Sequence, residues 1–299
     1  YLAPRGAPGV GAATARKYYD EGARTYEDLK GKLSPCAQIG LTYVDELEQR
    51  IPRDEVQECA RVVRAALYDL VDGERNVSFC EPVGSFRRGK PTSGDIDVLI
   101  SLAETAEGDR RLDGLLARLV EKLRQQGFIT HVLAGPSAPT RGTRSDADAG
   151  AKGGNANSQS FMGLCKLGAA SGMQSPVHRR LDIKVYPRAE LPFALLYFTG
   201  SGYFNRHMRG WAQRRGYRLS DHGLTPCGGT HGASPTLACS TEREIFEVLE
   251  LQWQEPDERD CKICPIDDAA RLEGQDVEQE HDANALVDLR AVTSLRSYL

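Results

Sequence analysis

"GSFRRGKPTSGDIDVLI", residues 84–100, puts two aspartates one residue apart at the mouth of an apolar run, directly behind a turn of glycine, serine and arginine. The run Ile96–Leu102 reads as a strand. On a strand, side chains i and i+2 share a face, so Asp95 and Asp97 project together. Two ionised carboxylates this close repel, and an apolar core rejects them. A bare D-x-D also fits a solvated strand edge, but a divalent cation held between the acids removes the repulsion. Mg²⁺ takes hard oxygen ligands, commonly one or two carboxylates together with phosphate oxygens. The flanking residues favour the cation. Gly84-Ser85 and Ser93-Gly94 offer backbone N–H and hydroxyl groups that can approach a phosphate, and Arg87 and Arg88 lie between them. A guanidinium pairs with phosphate oxygens bidentately. Metal carboxylates beside phosphate donors are the parts required for phosphoryl or nucleotidyl transfer. A third acid is then expected from a neighbouring strand, and Asp182 in "HRRLDIKVY" (178–186) is the only acid in an apolar strand there.

The chain around this stretch has 299 residues, 40% hydrophobic and 27% charged, the composition of an ordinary soluble globular protein. No run approaches the ~20 apolar residues of a membrane span. A start at Tyr1 without Met is read as a fragment or a processed product. Eight scattered cysteines in a chain this long read as reduced intracellular thiols, not as a disulfide framework. The pair Cys261 and Cys264 has no second pair at ligand spacing, so no zinc site is expected there. Net charge is −4, yet residues 255–282 hold 11 acidic and 3 basic residues. The remainder has 31 acidic against 35 basic, so a mildly basic body (+4) carries an acidic tail. That balance permits contact with a nucleic acid without requiring it.

Periodicity gives an α+β protein. A Gly-Val-Gly turn at Gly9, Val10 and Gly11 precedes a helix over Ala12–Tyr19, with a second short helix near Tyr26–Lys30. Helical spacing over 42–70 is broken at Pro52. Strands are expected at Val77–Phe79, Ile96–Leu102, Phe128–Val132, Phe161–Lys166 and Leu181–Tyr186, with a turn-rich loop at 84–94. Helices are expected over 111–126, Leu191–Thr199, Asn205–Gly216 and Glu242–Leu249. Residues 134–160 are poor in apolar side chains and read as a disordered surface insertion. The expected organisation is a helical unit (1–50), a mixed-sheet unit flanked by helices (51–188), a small α+β unit (189–260) and an acidic disordered tail (261–299).

Gly84-Ser85, eight residues on to Ser93-Gly94-Asp95-Ile96-Asp97, then the later Leu181-Asp182-Ile183, resembles the nucleotidyltransferase superfamily. The longer run 84–99 together with "YFTGSGYFNRHMR" (197–209) resembles family X DNA polymerases, in their beta and lambda branch. The likeness extends over about residues 6–260 and includes "IGLTYVDELEQRIPRDEV" (39–56) and "EPDERD" (255–260). Template-independent members carry different residues in the first motif and W-T-G in place of Tyr-Phe-Thr-Gly, so template-directed synthesis is implied.

The resemblance implies a helix-hairpin-helix subdomain, a nucleotidyltransferase palm and a small C-terminal subdomain. Asp95, Asp97 and Asp182 would be the catalytic and metal-binding acids for two Mg²⁺ ions, with Mn²⁺ as a substitute. One ion would activate a primer 3′-hydroxyl and the other neutralise the pyrophosphate leaving group. Arg50, Ser85, Arg88, Ser93 and Gly94 would hold the dNTP phosphates. Tyr197, Phe198 and Gly200 would lie under its sugar, and Asn205 against the minor-groove edge of the new base pair. Gly9, Val10 and Gly11 would grip the DNA backbone, with a monovalent cation compatible with that turn. Arg180 would stand near the primer end, Arg209 on the template, and His178 and Arg179 would be surface cations.

The function implied is filling of short gaps in base excision repair or non-homologous end joining, using gapped or broken double-stranded DNA and dNTPs. A monomer, upstream contacts to repair proteins, no membrane, and a nuclear location in a eukaryote go with it. Relatives of this branch bear a lyase lysine upstream of the hairpin turn, so lyase chemistry is not assigned to this stretch. The competing readings are a non-catalytic module binding DNA ends or gaps, and a nucleotidyltransferase acting on RNA or a small molecule.

Overall fold

The computed structural model describes residues 12–25, 27–29, 31–103, 112–136, 159–168, 173, 175–227, 236–261 and 263–266. Gly9, Val10 and Gly11, residues 137–158 of the expected insertion, and nearly all of the expected tail lie outside the described residues.

Helices α1 (Ala12–Asp20), α2 (Pro35–Thr42) and α3 (Val44–Leu47) open the chain. Ser34 caps α2 by accepting from the Ala37 amide, with Pro35 at the first helical position, where its missing N–H is not needed. Ala15, Ala23, Leu29, Leu33 and Ala37 form a small core of their own, with Tyr18 and Leu41 against it.

Strand β1 (Ile51–Pro52) leads into the long helix α4 (Arg53–Leu70), so the break expected at Pro52 is a two-residue strand followed at once by a helix start. Strand β2 (Val77–Pro82) runs further than expected, and the loop behind it holds one helical turn, α5 (Gly84–Arg87), and the short strand β3 (Thr92–Ser93). Then come β4 (Ile96–Leu102), α6 (Leu115–Gln125), β5 (Ile129–Ala134), β6 (Gln159–Cys165) and β7 (Arg179–Val185). The ends of the expected insertion are therefore strand residues: Ala134 closes β5, and Gln159 opens β6.

The sheet order is β2-β4-β7-β6-β5, with β4 and β7 parallel and every other pair antiparallel. Alternation splits β4 into two faces. Ile96, Val98 and Ile100 join Leu181, Ile183 and Val185 in the core beneath α4 and α6. The opposite face carries Asp97 and Leu99. Leu99 packs with Val83, Tyr186, Leu191 and Ala194.

Those last two residues belong to α7 (Leu191–Thr199), which is followed by α8 (Gly202–Arg214), the hairpin β8 (Tyr217–Ser220) and β9 (Gly223–Pro226), and α9 (Glu242–Val248). Phe193, Phe204, Met208, Phe246 and Leu249 are among the buried residues that join these elements into a second core. No described helix is long and apolar enough to cross a membrane.

His178 and Arg179 are not surface cations. Arg179 is 6% exposed and forms a two-pronged ion pair with Glu55 of α4, both bonds 2.9 Å, while its third nitrogen donates to the Gln49 carbonyl at 3.1 Å. His178 is bonded to Glu46 through its backbone N–H (2.5 Å) and through Nδ1 (2.9 Å), with the Tyr43 ring 4.3 Å away. A buried charge left without its partner costs about 3–5 kcal/mol, whereas apolar replacement of both partners is close to neutral. Arg179→Met alone is thus expected to lower unfolding free energy by about 3–5 kcal/mol, and Glu55→Leu added to it to restore most of the loss. Urea denaturation of the two variants checks this; equal stabilities would show that the pair is not an interdependent unit.

Candidate active site

Parallel pairing sets Asp97 of β4 directly opposite Asp182 of β7. Asp95, two residues before Asp97, completes a trio in which one carboxylate oxygen from each acid lies within 4.8 Å of the other two. Like charges opposed on a sheet are destabilising. Arg180 of β7 answers part of the repulsion: it is ion-paired with Asp95, and its Nε lies 3.2 Å from Asp182 Oδ2. The side chain expected at the primer end thus stands among the acids themselves.

Asp182 is 8% exposed. Gly84, at φ +59°, leaves the space that Asp97 uses, since a Cβ there would sit 2.7 Å from Asp97 Oδ2. Burial first, and the Asp182 charge second, push the Asp97 carboxyl up to about 7, while Lys184 and Arg88 pull the other way. Three hard oxygen donors clustered around a surplus of negative charge fit a divalent cation and not a soft metal.

The phosphate-cradle residues gather beside the trio. Ser85 donates to Ser93 Oγ at 3.1 Å. Arg50 holds Thr92 through the hydroxyl (3.1 Å) and the carbonyl (2.6 Å), and lies so near Gly94 that a Cβ there would be 3.1 Å from Nη1. Arg88 donates to Asp260 (3.0 Å) and to the Thr199 carbonyl (2.6 Å). Arg87 turns away from the cradle. It donates to Thr199 Oγ1 (2.5 Å) and bridges to Glu242 (2.6 and 3.1 Å), which Arg259 also holds at 2.6 Å. Arg259 is fully buried, its guanidinium 4.9 Å from the Trp253 ring centre. Reading Arg87 as a phosphate ligand is therefore replaced by a structural ion-pair network at the head of α9.

At the end of α7, Tyr197 and Phe198 meet edge to face with centroids 5.1 Å apart, before Gly200 at φ +69°. Asn205 of α8 donates to the Tyr197 carbonyl at 2.6 Å, and the Arg209 guanidinium is 5.8 Å from the Tyr197 ring. Phe198 also faces Lys184, 5.8 Å from Nζ, next in its row to Asp182. Tyr197, Asn205 and Arg209 line one cleft with Phe193, Leu196, Leu219 and Ser220. Missed from sequence were Gly84 as the spacer for Asp97 and Asp260 as the partner of Arg88. A glycine required at positive φ is a findable signal; an ion pair 172 residues apart is not.

A carboxylate trio on the face of a mixed sheet that α7 partly covers, beside paired hydroxyls and a clamped arginine, has the parts that a nucleotidyltransferase-type site requires. Residues 50–188 match the family model "DNA polymerase beta palm", 194–260 "DNA polymerase beta thumb", and 6–48 "Fingers domain of DNA polymerase lambda". DNA polymerase lambda of Rattus norvegicus is 38% identical over 260 residues, which cover 84% of this chain and 40% of the relative. DNA polymerase lambda of Arabidopsis thaliana is 37% identical over 259 residues, covering 84% and 44%. The chain thus spans less than half the length of these relatives. It belongs to the family X DNA polymerases, in their beta/lambda-like branch.

The raised pKa of Asp97 gives a pH signature. In the metal-free folded chain Asp97 keeps a proton that the unfolded chain releases between 3.8 and about 7, so stability falls as pH rises through that window. Metal-free Asp97→Asn is expected to exceed wild type by about 2–4 kcal/mol at pH 8 and to match it near pH 4. Mg²⁺ should raise the wild-type Tm and leave the variant unmoved. Thermal melts at both pH values, with and without Mg²⁺, decide; a variant less stable at pH 8 would remove the like-charge account.

Proposed function

We propose that this chain is the polymerising part of a template-directed DNA polymerase that fills short gaps during repair, transferring a nucleotide from dNTP to a primer 3′-hydroxyl. The observation carrying this reading is the in-register opposition of Asp97 and Asp182, with Asp95 beside them and an arginine already drawn into their field. A divalent metal, Mg²⁺ by preference, would be held by Asp95, Asp97 and Asp182, and when bound supplies a lowered hydroxyl pKa and neutralisation of the leaving pyrophosphate.

The chain's own residues do the positioning. Ser85, Ser93 and the Gly94 backbone bind phosphate oxygens, and Arg50 and Arg88 neutralise them at fixed places. Such groups need no reorientation as charge develops on the triphosphate. Tyr197, Phe198 and Gly200 pack under the sugar, where an added 2′-hydroxyl meets backbone and ring. Asn205 reads the minor-groove edge, whose acceptors are shared by all base pairs, so shape governs selection more than sequence. Arg209 contacts the template strand, and Arg180, released from the acids by the cation, faces the primer terminus. Gly9, Val10 and Gly11 hold the DNA backbone without reading sequence, which suits an enzyme that meets any gap. With a eukaryotic source the place of action is the nucleus.

The family match and the intact trio favour catalysis over a binding-only module, because three acids without a cation only cost stability. On a one-nucleotide gap with Mg²⁺ and dNTP, Asp182→Asn is expected to incorporate at least ~10³-fold more slowly than wild type while binding the gap equally well, given the several kcal/mol that preorganised electrostatics supply. Primer extension and gel shift together check this. Gap binding by wild type with no incorporation would support the binding module instead, and incorporation of ATP as readily as dATP would overturn the sugar gate.

A further inference from the structure

Asp260 ends the "EPDERD" segment and belongs neither to the acid trio nor to the phosphate cradle. Its Oδ1 accepts from Arg88 Nε at 3.0 Å, and its Oδ2 is ion-paired with Lys90. Both cations come from the turn behind α5, so one carboxylate gathers two of the turn's charges. Arg88 is gripped a second time, by the Thr199 carbonyl on Nη1 at 2.6 Å. A guanidinium is planar and rigid, so fixing Nε and Nη1 fixes the direction of Nη2. The side chain of Arg88 is only 15% exposed, and it caps the helical turn α5, whose first residue, Gly84, lies against Asp97.

Asp260 is exposed, its side chain 36% accessible, and the little burial it has works against its charge. The Lys90 hydrogen bond and the charges of Arg88 and Lys90 outweigh that and hold its carboxyl below the usual range. The clamp is therefore closed at neutral pH.

We propose that Asp260 is a positioning residue for the nucleotide: it holds Arg88 with one nitrogen presented to the triphosphate, so that binding need not order a free arginine. This rests on the polymerase reading above. An arginine already immobilised spares the incoming phosphate the entropy cost of fixing a long side chain, and the effect falls on nucleotide affinity, not on the chemical step. A carboxylate that merely held the fold together would lower the stability and kcat together and leave no selective trace in KM.

The test uses the full chain on a one-nucleotide gap, with dNTP titrated at fixed Mg²⁺. Asp260→Asn is expected to raise the dNTP KM ~10-fold, with kcat within about twofold and gapped-DNA affinity unchanged. Asp260→Glu should recover most of the loss. Asp257→Asn, which removes the same charge from an exposed site on the same segment, should behave as wild type. In an Arg88→Ala background, adding Asp260→Asn should change KM no further if Asp260 acts through that arginine and not through Lys90. An unchanged KM in Asp260→Asn, equal effects of Asp257→Asn, or additive effects in the double variant each overturn the proposal. If wild type incorporates nothing yet is stabilised thermally by dNTP, the polymerase reading alone fails and the same variants are read in that thermal shift. If wild type neither incorporates nor is stabilised by dNTP, both fail.

Discussion

Two aspartates face each other across a parallel strand pair, and much else in the molecule is arranged around that unfavourable contact. Asp97 and Asp182 share a register position, so their separation is set by backbone hydrogen bonding and cannot relax by side-chain motion alone. The opposite face of the same strands is an apolar core under two helices, which fixes the acids on the other side, the one that α7 partly covers. Several of the groups placed near them are positive, small or hydroxylic: Arg180 between Asp95 and Asp182, Gly84 against Asp97, and Ser85 next to that glycine. A fold that retains such a contact gives up stability for a high local demand for cations.

The catalytic unit also has a firm connection to the residues that follow it. Leu99 of β4 and Tyr186, just after β7, share a core with Leu191 and Ala194 of α7, so the helix that carries Tyr197 and Phe198 is packed on the same face of the strands that bears the acids. Arg87 and Arg88 are neighbours in sequence but take different partners, Glu242 and Asp260, both in the C-terminal unit. Apolar packing and two ion pairs thus tie the cradle to the elements that would meet the base pair.

The sheet strands and the trio could be read from sequence because both follow local rules. An apolar run behind a turn gave Ile96–Leu102 its bounds, an apolar run ended at Gly200 gave Leu191–Thr199, and the D-x-D spacing put two acids on one face. Short elements escaped that reading. The hairpin Tyr217–Ser220 and Gly223–Pro226 is too brief to show a period, and helix Pro35–Thr42 announces itself only through Ser34-Pro35, a start signal that was present to be used. The fates of individual cations could not be read at all. Arg179 meets Glu55 across 124 residues and His178 meets Glu46 across 132, so their burial follows from topology and from nothing nearby in the chain.

The Glu55–Arg179 pair has a consequence beyond the energy of two charges. Arg179 begins the strand that carries Asp182, and it points to the face opposite that aspartate. Were β7 to slide by one residue against its neighbours, every side chain would exchange faces. The arginine would lose the Glu55 carboxylate and the aspartate would enter a hydrocarbon interior, two penalties incurred at once. The anchor therefore disfavours the slipped alignment at the same strand that carries the aspartate.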